Sequence, residues 1–329
     1  MTSKRRPGPR AWRHAILTCA FPLLVAACGG EGQDDGDGGD DGDDGDGAGT
    51  SFTGTITLDE YDWFGVEAYL GVIQIDLDTL EKRRFLEGRV PWRHPNGTTV
   101  FLQGCGDLVS RVAMADEEGL VRVGTPCSSE IQNPGYGSTD FGVSKLSPDE
   151  TLIAVEAYYY IDSGYEVSTA VYEVAGERLA IFDDLWAPTW TPDGQLLLTG
   201  DGFHLVDRDL SSPRRIDGGQ LVGPLNNPAV HPSGERMVFE YNQQIWEMNM
   251  DGSELHELVT AGRELRFPTY SPDADTIIYL ARSDQEYYDV AFYITDLDTG
   301  EASTVDLAGI LSPTLDPTIV PNGPLSWSE

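Results

Sequence analysis

The chain has 329 residues, with 55 acidic side chains against 21 basic ones and a formal net charge of −34. That balance argues against nucleic acid as a partner, since phosphate backbones are held by clustered Lys and Arg. It argues equally against docking on an anionic membrane through charge.

From the N-terminus, residues 1–27 read as a targeting segment. Lys4, Arg5, Arg6, Arg10 and Arg13 precede an apolar run from Ala15 to Ala27 that is too short to span a bilayer. The run ends in Leu24-Val25-Ala26-Ala27-Cys28, which resembles a bacterial lipobox. The resemblance implies signal cleavage and lipidation of Cys28, with an ordinary signal peptide as the alternative. Arg5-Arg6 lacks the apolar residues expected after a twin-arginine export signal. The resulting expectation is a membrane-anchored lipoprotein of the cell envelope, and Gly29 after the cysteine points to the outer membrane.

Residues 28–50 follow as a Gly/Asp tract with no apolar residue able to start a core. It reads as a flexible, self-repelling tether. No register in it satisfies the calcium loop of an EF-hand, which needs spaced acids, a central Gly and a closing Glu. With the signal and tether set aside, the folded remainder keeps a charge of about −30, which suits an extracytoplasmic surface, cations or a basic partner.

From residue 51 onward one phrase recurs. Val90–Phe101 reads V-P-W-R-H-P-N-G-T-T-V-F, and Val143–Ala154 reads V-S-K-L-S-P-D-E-T-L-I-A. Ala187–Leu198 reads A-P-T-W-T-P-D-G-Q-L-L-L, Asn227–Val238 reads N-P-A-V-H-P-S-G-E-R-M-V, and Phe267–Ile278 reads F-P-T-Y-S-P-D-A-D-T-I-I. The turn prolines are Pro95, Pro148, Pro192, Pro232 and Pro272, spaced 53, 44, 40 and 40 residues apart. Proline presets φ for a tight turn, the next polar residue stabilises it, and Gly accepts positive φ. Pro91, Pro188, Pro228 and Pro268 stand four residues earlier, where a strand start tolerates a missing donor.

A period near 40 built of short strands and turns is a propeller signature. These copies resemble the TolB-like β-propeller repeat. His94 and His231 replace its usual Ser, and Glu150 replaces its Gly. The resemblance implies a fold and leaves the function open.

Six further segments read as strand, tight turn, strand, starting near Val72, Arg111, Ala170, His204, Ile245 and Phe292. Five openings and six outer hairpins make six blades with one inner strand missing. Pro324–Ser328 looks like an opening that stops short, so it is expected to pair near Thr53–Leu58 and close the ring. The expectation is an all-β, six-bladed propeller of four-stranded antiparallel blades over residues 51–329.

Topology sorts the loops. The first and third turns of each blade share one face and are short. The second turns and inter-blade links share the other face and are long. Cys105 and Cys127 both fall on this elaborated face, and a disulfide is expected between them in an oxidising compartment. A zinc pair is the alternative, without a C-x-x-C or a nearby His in support.

The same face gathers Tyr61, Trp63, Tyr158, Tyr159, Tyr160, Asp162, Tyr165, Asp284, Tyr287, Tyr288 and Asp289. Tyr and Trp are enriched in binding surfaces, and long loops on a rigid scaffold are where function sits. The competing reading packs these tyrosines between blades. His94 and His231 are expected to be solvent-side substitutions of a turn serine, and His204 and His256 incidental. No nucleophile elbow, zinc-protease helix or phosphate loop is present. No cofactor or metal is implied. The leading expectation is a non-catalytic module binding an envelope protein or peptide. A small-molecule, glycan or cation binding propeller is the first alternative. A carboxylate-based hydrolase or lyase is the second, and it would need two carboxylates converging in the central channel.

Overall fold

The computed structural model describes residues 52–62, 69–106, 109–130, 139–161, 164–223, 225–282, 290–300, 302–305, 319–320 and 325–328. The signal, the tether and Cys28 lie outside the described residues.

Six antiparallel sheets make six blades. Blade 1 carries β1 (Thr55–Asp62), β2 (Tyr69–Asp76) and β3 (Lys82–Leu86). Blade 2 carries β4 (Arg89–Arg93), β5 (Thr99–Gly106), β6 (Val109–Ala115) and β7 (Val121–Val123). A short 3-10 turn, Ser128–Glu130, leads to blade 3: β8 (Thr139–Leu146), β9 (Leu152–Ile161), β10 (Gly164–Glu173) and β11 (Arg178–Asp183). Blade 4 is β12 (Trp186–Trp190), β13 (Leu196–Thr199), β14 (Phe203–Val206) and β15 (Arg214–Arg215). Blade 5 is β16 (Leu225–Val230), β17 (Arg236–Tyr241), β18 (Gln244–Asn249) and β19 (His256–Val259). Blade 6 is β20 (Glu264–Tyr270), β21 (Thr276–Arg282), β22 (Val290–Asp296) and β23 (Ala302–Val305).

The ring closes as the truncated last repeat predicts. The strand β25 (Ser326–Ser328) lies antiparallel to β1, with Thr55 opposite Ser328, Ile56 opposite Trp327 and Thr57 opposite Ser326. A two-residue strand that the sequence did not announce, β24 (Ile319–Val320), pairs with the other end of β1 at Tyr61 and Asp62. The Trp327 indole donates to the Thr53 carbonyl at 2.9 Å, and Ser326 Oγ accepts the Arg93 amide of blade 2 at 2.9 Å.

Six apolar clusters fill the spaces between neighbouring blades. The one joining blades 6 and 1 contains Leu325 and Trp327 beside Ile56, Leu58, Ile278 and Phe292. The closing strand therefore serves twice, as a ladder partner and as core.

The five proline turns share one geometry. The amides of Gly97, Glu150, Gly194, Gly234 and Ala274 return to the carbonyls of His94, Ser147, Thr191, His231 and Ser271. All five donors have φ between 58° and 93°. Three are glycine, while Glu150 and Ala274 hold the left-handed conformation against their Cβ. The side chain before each proline bonds the residue just after that proline. Ser147, Thr191 and Ser271 donate to Asp149, Asp193 and Asp273. His94 and His231 do the same work through Nδ1, which accepts the amides of Asn96 and Ser233. The expected solvent-side placement of His94 is corrected. Its ring is buried and stands edge-on to Trp92 at 5.6 Å.

Deleting residues 325–329 should lower the thermal midpoint by many degrees, because burying Trp327 alone is worth about 3–5 kcal/mol. Differential scanning calorimetry of the truncated chain tests this, and an unchanged midpoint would contradict it. At the turns, Ala274→Gly should raise stability by roughly 0.5–1 kcal/mol by relieving a left-handed alanine. Gly194→Ala should lower it, since its Cβ would come within 2.8 Å of Arg208 Nε. Urea melts of both variants should move in opposite directions.

Candidate functional site

Two regions carry unusual side chains: the elaborated face and the central channel. On the face, β9 and β10 are the longest strands of the ring at 10 residues each. Tyr160 pairs directly with Tyr165, and Tyr158 with Val167. The Tyr165 ring meets Tyr158 at 5.5 Å and Tyr160 at 6.4 Å, both edge-on. Tyr160 is 44% exposed and Tyr165 60%. Tyr158 is anchored beneath them, its hydroxyl bonded to Glu156 and its phenol pushed up by burial. A Cβ on Gly142 would strike Glu156 Oε2 and the Tyr158 ring, so this close approach needs glycine.

Tyr159 does not belong to the face. Strand side chains alternate, and its ring points into the core between blades 2 and 3, only 2% exposed. Tyr61 lies at the end of β1, opposite Tyr69. Trp63, Asp162, Asp284, Tyr287, Tyr288 and Asp289 lie outside the described residues. Cys105 and Cys127 form the expected disulfide, with Cα atoms 6.4 Å apart. It ties the second turn of blade 2 to the link that enters blade 3, on the same face as the Tyr158–Tyr165 cluster. Among the described residues no group of three or more His, Cys, Asp or Glu side chains is placed to hold a metal ion.

The channel is a cavity of about 530 Å³ bordered by the innermost strands. Its wall contains Pro188, Pro228, Pro268, Trp190, Tyr270 and Trp327. Lys145 enters it from β8, with Nζ 4.9 Å from the centre of the Trp92 ring. The lysine is 8% exposed, and burial drives its ammonium down to about 7. Among the described residues no Asp or Glu lines the cavity. The two converging carboxylates that a hydrolase or lyase would need there are not on the described wall.

Buried carboxylates sit just behind the channel instead. In blades 2 to 6 the inner strand slips register by one residue at the same place, at Arg89/Trp92, Phe141/Ser144, Trp186/Thr189, Asn226/Ala229 and Arg266/Thr269. Val90, Ala187, Asn227 and Phe267, each directly before a proline, take φ of 45° to 54° there. Asp59 of blade 1 accepts the Val90 amide at 3.1 Å, and Glu240 of blade 5 accepts Phe267 at 2.5 Å. Glu156 of blade 3 accepts Ala187 and, from its own blade, Val143 at 3.4 Å. Burial raises both glutamates above the usual carboxylate range, against these hydrogen bonds. Their stabilising contribution is therefore fully present below the ordinary glutamate pKa, and it fades as pH rises through the raised one.

Known proteins share this architecture. TolB from Acinetobacter baumannii superposes with a TM-score of 0.60 at 14% identity, over 85% of this chain and 68% of that one. The fold is a TolB-like β-propeller. A putative TolB from Agrobacterium tumefaciens superposes at 0.50 and 17% identity, over 77% of this chain and 88% of that one. An oligogalacturonate lyase in complex with manganese also superposes at 0.50, with 13% identity over 78% and 81%. At these identities the likeness is one of fold. An uncharacterised protein of Agrobacterium fabrum is 23% identical over 247 residues, 70% of this chain and 80% of that one. No family model matches the chain. The TolB-like propeller thus hosts both TolB proteins and an enzyme, and the residues of each propeller decide its use.

Lys145 was not singled out from sequence, where it stands as an unremarkable residue three before a turn proline. An unpaired buried ammonium lowers stability. Lys145→Met should therefore raise stability at neutral pH by on the order of 1 kcal/mol. The gain should shrink as pH rises above about 7, where the amine is already neutral. Thermal melts of both proteins across that range check the sign.

Proposed function

We propose that this protein is a cell-envelope lipoprotein whose propeller binds a protein or peptide partner without catalysis. Cys28 would carry the lipid, residues 29–50 would form the tether, and the propeller would present its disulfide-bearing face. Among the described residues no helix is long and apolar enough to cross a membrane.

The observation that carries the reading is the aromatic cluster on the β9–β10 hairpin. Tyr160 and Tyr165 offer two exposed rings, held in place by an anchored third, Tyr158. Pre-ordered tyrosines present contact area at small entropic cost, the property that concentrates them at interfaces. The folded part carries a net charge of about −30, which favours a basic partner surface and sets a salt-dependent association rate. The outer-membrane placement that Gly29 points to, and a part for Trp63, Asp162, Asp284, Tyr287, Tyr288 and Asp289 in the binding face, belong to this proposal.

The test is capture from the native envelope by the full chain, against a Tyr160→Ala/Tyr165→Ala double variant with an unchanged melt. A protein retained by the parent and released by the variant supports the reading and locates the face. Truncating exposed hot-spot tyrosines should weaken the complex by about 2 kcal/mol or more, some thirtyfold in Kd. Equal retention by both proteins would reject this face as the docking surface.

A further inference from the structure

The central channel holds a cation that no described acid neutralises. Several other buried or half-buried bases of the ring have one. Arg93 reaches Glu117, Arg215 grips Asp217, and Arg266 pairs with Glu264. Lys145 has only the face of Trp92. This occurs in a chain with 55 acids against 21 bases. Lysine ordinarily escapes burial by extending its long stem toward water. Here the stem ends inside the cavity, and burial alone depresses its ammonium.

The charged groups around it are otherwise engaged. From β4, Arg89 faces Asp140, and Arg93, which also borders the cavity, reaches Glu117 through Nη2 while its Nε and Nη1 have no hydrogen-bond partner among the described residues. From β6, Arg111 binds Gln103, and from β9, Glu156 is committed to the bulge amides. Glu130 ends the 3-10 turn packed on β8, and neither β5 nor β12 contributes a charged side chain. His94 borders the cavity, with its Nδ1 bonded to Asn96.

The rest of the wall suits an apolar body. Pro188, Pro228 and Pro268 have no N–H to offer, and Trp92, Trp190 and Trp327 add flat aromatic surface. About 530 Å³ falls in the range of small-ligand pockets. A peptide would need donors and acceptors for its backbone, which a proline wall supplies poorly. Arg93 on the same wall already has Glu117 as its counter-ion, so Lys145 leaves one net charge for a ligand to meet.

We infer that the channel binds a small organic monocarboxylate, with its carboxylate on Lys145 Nζ and its apolar body against Trp92 and the prolines. This site is separate from the tyrosine face, so either can fail without the other.

Phenylacetate and its neutral counterpart phenethyl alcohol are the probes, titrated calorimetrically into the full chain. At about pH 6, below the Lys145 midpoint, phenylacetate should bind more tightly than the alcohol by roughly ten- to hundredfold. Lys145→Met, which is expected to fold at least as well as the parent, should remove that preference and leave the alcohol unchanged. Phenylacetate affinity should fall as pH rises through about 7, where the lysine loses its proton. Equal affinity for the two probes would overturn the inference. So would full phenylacetate binding in Lys145→Met, or no phenylacetate binding at millimolar concentration.

Discussion

The innermost strand of each blade borders an open channel, so one of its edges has no strand to pair with. An unpaired edge is costly where water is scarce and hazardous where it is not. The repeat meets this constraint with a proline and a bulge at one position. Pro91, Pro188, Pro228 and Pro268 remove a donor outright, and the residue before each twists into the left-handed region. The twist turns the amides of Val90, Ala187 and Phe267 toward carboxylates of the preceding blades. One local irregularity thus treats the exposed edge, joins two blades and shapes the channel wall.

The repetition of sequence is sixfold, but the chemistry of the joints is not. Asp59, Glu156 and Glu240 occupy equivalent positions in blades 1, 3 and 5. Leu102, Thr199 and Leu280 stand there in blades 2, 4 and 6. Carboxylates therefore bind blade 1 to 2, 3 to 4 and 5 to 6. Blades 2 and 3 are joined instead by the Arg89–Asp140 and Arg122–Glu150 pairs, and the joint of blades 6 and 1 by the apolar cluster that buries Trp327. Burial makes Glu156 and Glu240 resist ionisation, and all three carboxylates accept amides that would otherwise lack an acceptor. Neither partner is comfortable alone, which couples neighbouring blades more tightly than packing area would.

Much of this was legible because it rests on turn chemistry. A proline followed by a short polar pair prescribes a tight turn wherever it occurs, so blade count, outer hairpins and the closing strand could be read directly. The cysteines could be paired because topology places their loops on one face. The bulges could not be read. Val90, Ala187 and Phe267 are residue types that avoid positive φ, and only the tertiary demand for a turned amide explains them. His94 was misplaced because its repeat position suggested serine-like exposure, whereas the ring is covered by Trp92. The tyrosine run was over-read. Period-two alternation already forbids Tyr158, Tyr159 and Tyr160 from sharing a side, and that signal would have sent Tyr159 to the core.

Lys145 stands apart because nothing in the blade requires it. The equivalent inner-strand positions hold Trp92, Thr189, Ala229 and Thr269, and those blades form the same ladders with the same bulges. A neutral side chain would satisfy the fold at lower cost, and the surplus of acid elsewhere offers many partners that this ammonium does not use. The position also fixes the charge in the cavity that the described inner strands share. A buried, unpaired charge with an aromatic face beside it in a largely apolar cavity is poorly explained by folding. It is well explained by an anion that arrives from outside, because the same desolvation that weakens the empty fold strengthens the contact once the carboxylate is in place.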